Sequence, residues 1–157
     1  MRTARCGSAL LRTKKHRVTN FIRDKKDLDY TPLPDIFHDV FGHIPYLAIP
    51  QYARIIEKFG RAMLHAKTEA DRSKLVSLGW YGYEFGLIKE NGEMKAFGTG
   101  LISSQGELEN AFSENVLKLP YDAEIVSNTP ISAHEFHKKL FVLENLDQLE
   151  EVVDRWL

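Results

Sequence analysis

The stretch Tyr30-Thr31-Pro32-Leu33-Pro34-Asp35-Ile36-Phe37-His38-Asp39-Val40-Phe41-Gly42-His43-Ile44-Pro45-Tyr46 carries two histidines, His38 and His43, five positions apart. Neutral imidazole is the commonest side-chain metal ligand near neutral pH. Ile36, Phe37, Val40, Phe41 and Ile44 surround the pair, which predicts a half-buried segment. Pro32, Pro34 and Pro45 stiffen the backbone on either side. The expectation is a metal site on a rigid element, with one condition. On an α-helix, five positions leave the two rings about 140° apart. For both to reach one ion, the helix must end, kink or wind in the wider i→i+5 manner found at functional sites. Gly42 makes that departure easy. From spacing alone, a core histidine beside a helix-end histidine is an equally open reading.

A third residue bears on the choice. Glu84 sits inside the aromatic run Trp80-Tyr81-Gly82-Tyr83-Glu84-Phe85. A carboxylate there is costly to bury unless a positive partner meets it. A metal on His38 and His43 is such a partner. Two histidines and one carboxylate make the facial triad of non-haem iron(II) oxygenases, which leaves coordination positions open. Without the histidines, a surface Glu is the better reading.

The motifs then become specific. Tyr30-Thr31-Pro32-x-Pro34-Asp35-x-x-His38-Asp39-x-x-Gly42-His43-x-Pro45 is followed by Trp80-x-x-x-Glu84-Phe85-Gly86-Leu87. Gly100-Leu101-x-Ser103-Ser104-x-Gly106-Glu107-Leu108 comes third. In this order they closely resemble the pterin-dependent aromatic amino acid hydroxylases, from about Val18 to near the C-terminus. The resemblance implies a mostly helical α+β fold with short strands. It implies Fe(II) on His38, His43 and Glu84 as the catalytic centre, with tetrahydrobiopterin or a related tetrahydropterin as cofactor and O₂ as cosubstrate. It implies that Arg23 grips the α-carboxylate of the substrate, as a guanidinium fork can. Thr31, Pro34, Trp80 and Ser103 would shape the amino acid pocket, and phenylalanine is the first-choice substrate. Glu107 would either support Arg23 or the pocket backbone, or complete a capping box with Ser104.

Three departures accompany the resemblance. Residues 1–17 lack a counterpart of the family's pterin-stacking wall, so the pterin contacts stay unassigned. Gly79 stands where many members place an aromatic, and Leu33 replaces an acid common between the two prolines. The expected organisation is a basic divergent segment, 1–17, and a partial catalytic domain, 18–157. A non-catalytic iron-binding remnant and a zinc hydrolase on the same ligands are the rival classes. The motif order argues against the hydrolase.

Composition is compatible with this. The chain has 157 residues, 43% hydrophobic and 27% charged, which suits one globular domain. Cys6 is the single cysteine, so no internal disulfide forms, and an oxidising compartment is not indicated. No run nears the ~20 apolar residues that span a bilayer. The formal charge of −1 gives no reason to propose nucleic acid as a partner. A cytoplasmic monomer is expected. Charge is uneven: residues 1–26 hold nine Lys/Arg against Asp24. A transit sequence, a basic arm and a truncation scar all fit that start.

Local patterns place the other elements. Tyr52, Ile55, Ile56, Phe59 and Met63 predict a helix over Pro50 to His65. Thr68 to Leu78 predicts another, continuing towards Glu84 with a break near Gly79 or Gly82. Asn91-Gly92 predicts a hairpin turn between strands around Leu87–Lys89 and Met94–Phe97. Ser104 caps a helix through Phe112. Phe141-Val142-Leu143 reads as a strand, and Asn145 caps a final helix with an apolar stripe from Leu146 to Trp156. In Ala133-His134-Glu135-Phe136-His137 the second histidine falls at i+3, not at the i+4 of zinc proteases. Both histidines are expected to be exposed.

Overall fold

The computed structural model describes residues 18–29 and 33–157. An extended lead and a 3₁₀ turn at Lys25–Asp27 bring the chain to the two-histidine stretch. That stretch is a π-helix over His38–His43, continued by helix α1, Ile44–Leu47. Helix α2, Pro50–His65, starts with proline at its first position, where the missing N–H has no partner to lose. Its stripe buries Tyr52, Ile55, Ile56 and Phe59, as the periodicity predicts.

Helix α3, Glu69–Gly79, opens on a reciprocal capping box between Thr68 and Asp71. The expected break near Gly79 takes the form of a change in winding. The helix passes directly into a second π-helical turn, Trp80–Glu84, closed by Phe85 N–H donating to the Trp80 carbonyl at 2.7 Å.

Strands β1, Leu87–Glu90, and β2, Glu93–Ala96, pair antiparallel across Asn91 (φ 53°) and Gly92 (φ 82°). Both turn residues need the positive φ that Asn-Gly accepts. Short helix α4, Thr99–Ile102, and helix α5, Gln105–Phe112, follow. Strand β3, Leu117–Pro120, helix α6, Ala123–Ser127, strand β4, Lys139–Leu143, and helix α7, Leu146–Asp154, complete the order. The sheet order is β2-β1-β4-β3, with β4 parallel to both β1 and β3. β3 lies at the edge, where Pro120 can stand without a ladder N–H. The fold is therefore mostly helical with a small mixed sheet. Strand β3 and helix α4 have no distinct signal in the local sequence pattern, and helix α6 has only its capping Asp122. Among the described residues, no helix is long and apolar enough to cross a membrane.

The main core joins α2, α3, α7 and β4 through Tyr52, Ile55, Leu75, Leu78, Phe141 and Leu149. Leu149 also presses on the second π-turn: a Cβ at Gly82 would meet its Cδ1 at 2.9 Å. The side chain is fully buried. Leu149→Ala should therefore lower stability by about 2–5 kcal/mol, read by denaturant unfolding. A loss below 1 kcal/mol would mean that the site can collapse around the gap.

Candidate metal centre

The π-winding meets the condition that the five-residue spacing imposes. Hydrogen bonds to i+5 bring residues five apart onto one face. His38 and His43 stand with ring centroids 4.8 Å apart and planes at 85°. The buried face is His38, Asp39, Gly42 and His43. The apolar residues point the other way, with Phe41 60% exposed and Ile44 43%. The segment is half-buried as expected, but its buried face is the one that carries the histidines and not the apolar one. The reason is close packing of the inner face on α4, where a Cβ at Gly42 would lie 3.1 Å from Thr99 Cβ.

Glu84, from the second π-turn, completes a cluster whose ligand atoms lie within 4.8 Å of one another. His38 Nε2 is 3.0 Å from His43 Nε2 and 3.7 Å from Glu84 Oε2. His43 Nε2 is 3.3 Å from Glu84 Oε1. Neighbouring ligands at right angles around an ion at about 2.1 Å are about 3.0 Å apart, so the three groups fit one metal ion.

Their surroundings favour the same use. The Ser103 hydroxyl donates to the Thr99 carbonyl at 2.7 Å and lies 2.8 Å from His38 Nδ1. Its one proton is committed, so it accepts from His38 Nδ1–H. The Nε2 lone pair is thereby turned to the centre, in the manner of second-layer partners that orient metal-binding histidines. The Thr99 hydroxyl donates to Glu84 Oε2 at 2.7 Å. Burial alone would push the Glu84 carboxyl up, but His43, His38 and Thr99 outweigh it and hold it at about 2. Burial pulls His38 below its ordinary value, only partly offset by Glu84. Burial acts the same way on His43, but there the charge and hydrogen bond of Glu84 win and raise it. The result is an anionic carboxylate between two imidazoles.

A cavity of about 370 Å³ opens on these three residues. Arg23, Pro34, Trp80 and Ser103 line it as well, so four of the five predicted pocket residues come together. Thr31 lies outside the described residues. Arg23 is gripped before any ligand arrives. Its Nε and Nη2 donate to the two oxygens of Asp35 at 2.9 and 2.7 Å, and Nη1 donates to the Ser103 carbonyl at 2.6 Å. A guanidinium carries more N–H donors than these three, and Arg23 is among the residues that line the cavity. Asp35 is the residue that sequence reasoning missed. It also accepts from the backbone N–H of Arg23 (2.8 Å) and of His38 (2.9 Å), tying Arg23 to the two-histidine helix. Its place three residues before His38, at a helix start, is the signal that could have found it.

Other expectations need correcting. His134 is exposed, but His137 is only 5% exposed. Its Nδ1 meets Glu107 Oε1 at 2.7 Å. Glu107 supports neither Arg23 nor a capping box. Ser104 Oγ does accept from Glu107 N–H at 3.4 Å, but the Glu107 side chain turns to His137 instead. Gly79 has a local reason: a Cβ there would fall 2.7 Å from the Tyr83 hydroxyl, so Tyr83 fills the space beside it.

Fold and site together define a mostly helical domain with a two-histidine, one-carboxylate centre open to a cavity. Comparison with known proteins is consistent with that class. The family model for biopterin-dependent aromatic amino acid hydroxylases matches residues 3–157, upstream of Val18 as well as beyond it. Phenylalanine-4-hydroxylase of Mesorhizobium japonicum is 36% identical over 143 residues, covering 90% of this chain and 52% of that protein. Tyrosine 3-monooxygenase of Drosophila melanogaster is 34% identical over 155 residues, covering 99% of this chain and 27% of that protein. Phenylalanine hydroxylase of Chromobacterium violaceum, in a structure with bound iron(III) and oxidised 7,8-dihydrobiopterin, superposes with a TM-score of 0.88 at 32% identity. It covers 94% of this chain and 54% of that one. The chain belongs to the biopterin-dependent aromatic amino acid hydroxylase family. It spans about half the length of the bacterial relatives it matches.

Proposed function

We propose that the protein is a non-haem Fe(II), tetrahydropterin-dependent monooxygenase that hydroxylates the ring of an aromatic amino acid, phenylalanine to tyrosine first. The observation that carries this is the convergence of His38 Nε2, His43 Nε2 and the Glu84 carboxylate, 3.0–3.7 Å apart, at a cavity that Arg23 and Trp80 also line. His38 and His43 through Nε2, and Glu84 through oxygen, would hold the iron. Iron and tetrahydropterin together, when bound, supply activation of O₂ for insertion of one oxygen atom into the ring.

The chain's own residues position and sort. Arg23, its fork fixed by Asp35, offers its remaining N–H groups to the substrate carboxylate. Trp80 and Pro34 wall the space for the aromatic ring. Ser103 holds His38 in the tautomer that binds, and Thr99 holds the Glu84 carboxylate in place. Orientation of this kind replaces a chance encounter by a fixed approach. On the same reading the protein acts in phenylalanine catabolism as a cytoplasmic monomer, without nucleic acid or membrane partners.

A second reading, an iron-binding remnant without turnover, is favoured by one specific observation. The outer face of the two-histidine helix leaves Phe37, Val40, Phe41 and Ile44 at 37–60% exposure. Iron should accordingly bind more nearly normally than pterin. The test is to incubate reconstituted protein with phenylalanine, tetrahydropterin and O₂ and to measure tyrosine. Turnover abolished by His43→Ala supports the enzyme; tight one-to-one iron binding without tyrosine supports the remnant. Arg23→Lys keeps a charge for Asp35 but loses the fork, and should weaken phenylalanine binding by about 1.5–3 kcal/mol. Unchanged affinity would remove Arg23 from the substrate site.

A further inference from the structure

Beside the cavity, outside the metal centre, lies a buried polar chain of which the proposed mechanism uses Trp80 but neither His137 nor Glu107. Trp80, which lines the cavity, donates its indole Nε1–H to His137 Nε2 at 2.9 Å. An indole nitrogen can only donate, so His137 Nε2 is the acceptor and its proton sits on Nδ1. Nδ1 then donates to Glu107 Oε1 at 2.7 Å. Glu107 is fully buried and accepts once more from the His137 backbone N–H at 3.2 Å. Asn110 Nδ2 donates to the His137 carbonyl at 2.8 Å. Every group in the line is thus directed, from a carboxylate through a single imidazole tautomer to the edge of one pocket residue.

Ring contacts hold the same wall from its face. Phe85 packs against both Trp80 (centroids 4.6 Å, planes at 35°) and His137 (4.4 Å, 34°). It also packs on Gly100, where a Cβ would come within 2.5 Å of its ring. Trp80 therefore has a stacked neighbour on its face and a hydrogen bond at its edge. Stacking restrains tilt, but it leaves a ring able to slide in its own plane; the hydrogen bond is what fixes that last freedom.

We infer that His137, oriented by Glu107, is a positioning residue that sets the aromatic-ring selectivity of the pocket by locking the Trp80 indole. The inference rests on the proposed function, since it concerns which amino acid side chain that pocket admits. His137 does not line the cavity, so it acts through the lining residues it touches, with its one hydrogen bond to an aromatic wall residue going to Trp80. With the anchor in place the wall is held in one position. Without it, the indole is free to slide and a larger bicyclic ring gains room. A buried polar group that loses its partner also has reason to move.

The experiment uses the full 157-residue chain, loaded with zinc for NMR and with Fe(II) for equilibrium dialysis against phenylalanine and tryptophan. Trp80 and Trp156 give the two indole N–H signals, and Trp156→Phe tells them apart. In His137→Leu the Trp80 signal should shift and exchange faster with solvent. The preference for phenylalanine over tryptophan should shrink on the order of tenfold, with iron stoichiometry unchanged. His137→Gln, which restores one acceptor and one donor, should recover both. Should His137→Leu not fold because Glu107 is left buried and unpaired, His137→Leu with Glu107→Gln carries the same test without the orphaned charge. A phenylalanine-to-tryptophan preference within about twofold of wild type in the folded variant overturns the inference. So does failure of His137→Gln to restore it. If wild-type protein binds neither amino acid, the proposed function itself is overturned, and with it the selectivity role. A shifted Trp80 signal in the variant would then leave His137 as a structural anchor only.

Discussion

Glu84→Gln should strip the protein of iron. Wild-type chain, reconstituted anaerobically and dialysed, is expected to retain about one equivalent; the variant should bind more than about 100-fold more weakly, since even an outer partner of a metal ligand typically costs 10–100-fold. The physical case rests on charge. Burial works against a charged Glu84, yet His43, His38 and Thr99 hold its carboxyl at about 2, so it is anionic at neutral pH. The amide keeps the shape and the Thr99 contact but supplies no charge, leaving a dication with two neutral imidazoles. Elemental analysis of the dialysed protein, beside unfolding of the metal-free form, reads the result. Wild-type iron content in a folded Glu84→Gln protein would remove Glu84 from the ligand set.

The second large effect is expected at Asp35, which does not touch the metal. Its side chain is 0% exposed and that of Arg23 4%. Asp35→Ala leaves a buried guanidinium unpaired and removes the acceptor for the backbone N–H groups of Arg23 and His38. Breaking one side of a buried pair costs about 3–5 kcal/mol. Chemical denaturation should show a loss of that size, together with weaker phenylalanine binding. A loss below about 1 kcal/mol would class the pair with exposed salt bridges.

The pH dependence of that pair has a defined sign. Burial alone would raise the Asp35 carboxyl, but hydrogen bonds from Arg23 and the His38 backbone hold it well below its ordinary 3.8. A carboxyl more acidic in the folded than the unfolded state stabilises fully above the unfolded value. Its contribution fades as pH falls towards the folded one. The stability gap between wild type and Asp35→Asn should therefore be flat from about pH 5 to 8 and narrow only below about pH 4. A gap that narrows near neutral pH would point to a different titrating group.

Much of the fold and of the metal centre is legible in the amino-acid sequence alone. The stripe from Tyr52 to Met63 bounds helix α2, because packing one helical face requires that period. Asn91-Gly92 marks the hairpin, because few other residues accept its backbone angles. Asn145 and Thr68 mark helix starts, because the first N–H groups of a helix need side-chain acceptors. His38, His43 and Glu84 can be named as candidate ligands by residue type and by resemblance, and for both histidines to reach one ion their spacing requires something other than an α-helix. All of these are local, involving residues within one turn of each other or motifs that survive in one dimension.

What only the tertiary structure decided depends on partners far apart in sequence. Strand β3 has no strand signal of its own and exists because β4 offers its edge, some twenty residues on. The apolar residues around the histidines look like core in sequence, yet they face outward, because Gly42 lets the opposite face of the π-turn close on Thr99. Asp35 has no assigned role in the sequence until the fold brings Arg23 to it. His137 reads as a surface histidine in a polar loop until α5 delivers Glu107 and the second π-turn delivers Trp80. A buried polar group is stable only with its partners assembled, and no local pattern states who those partners are.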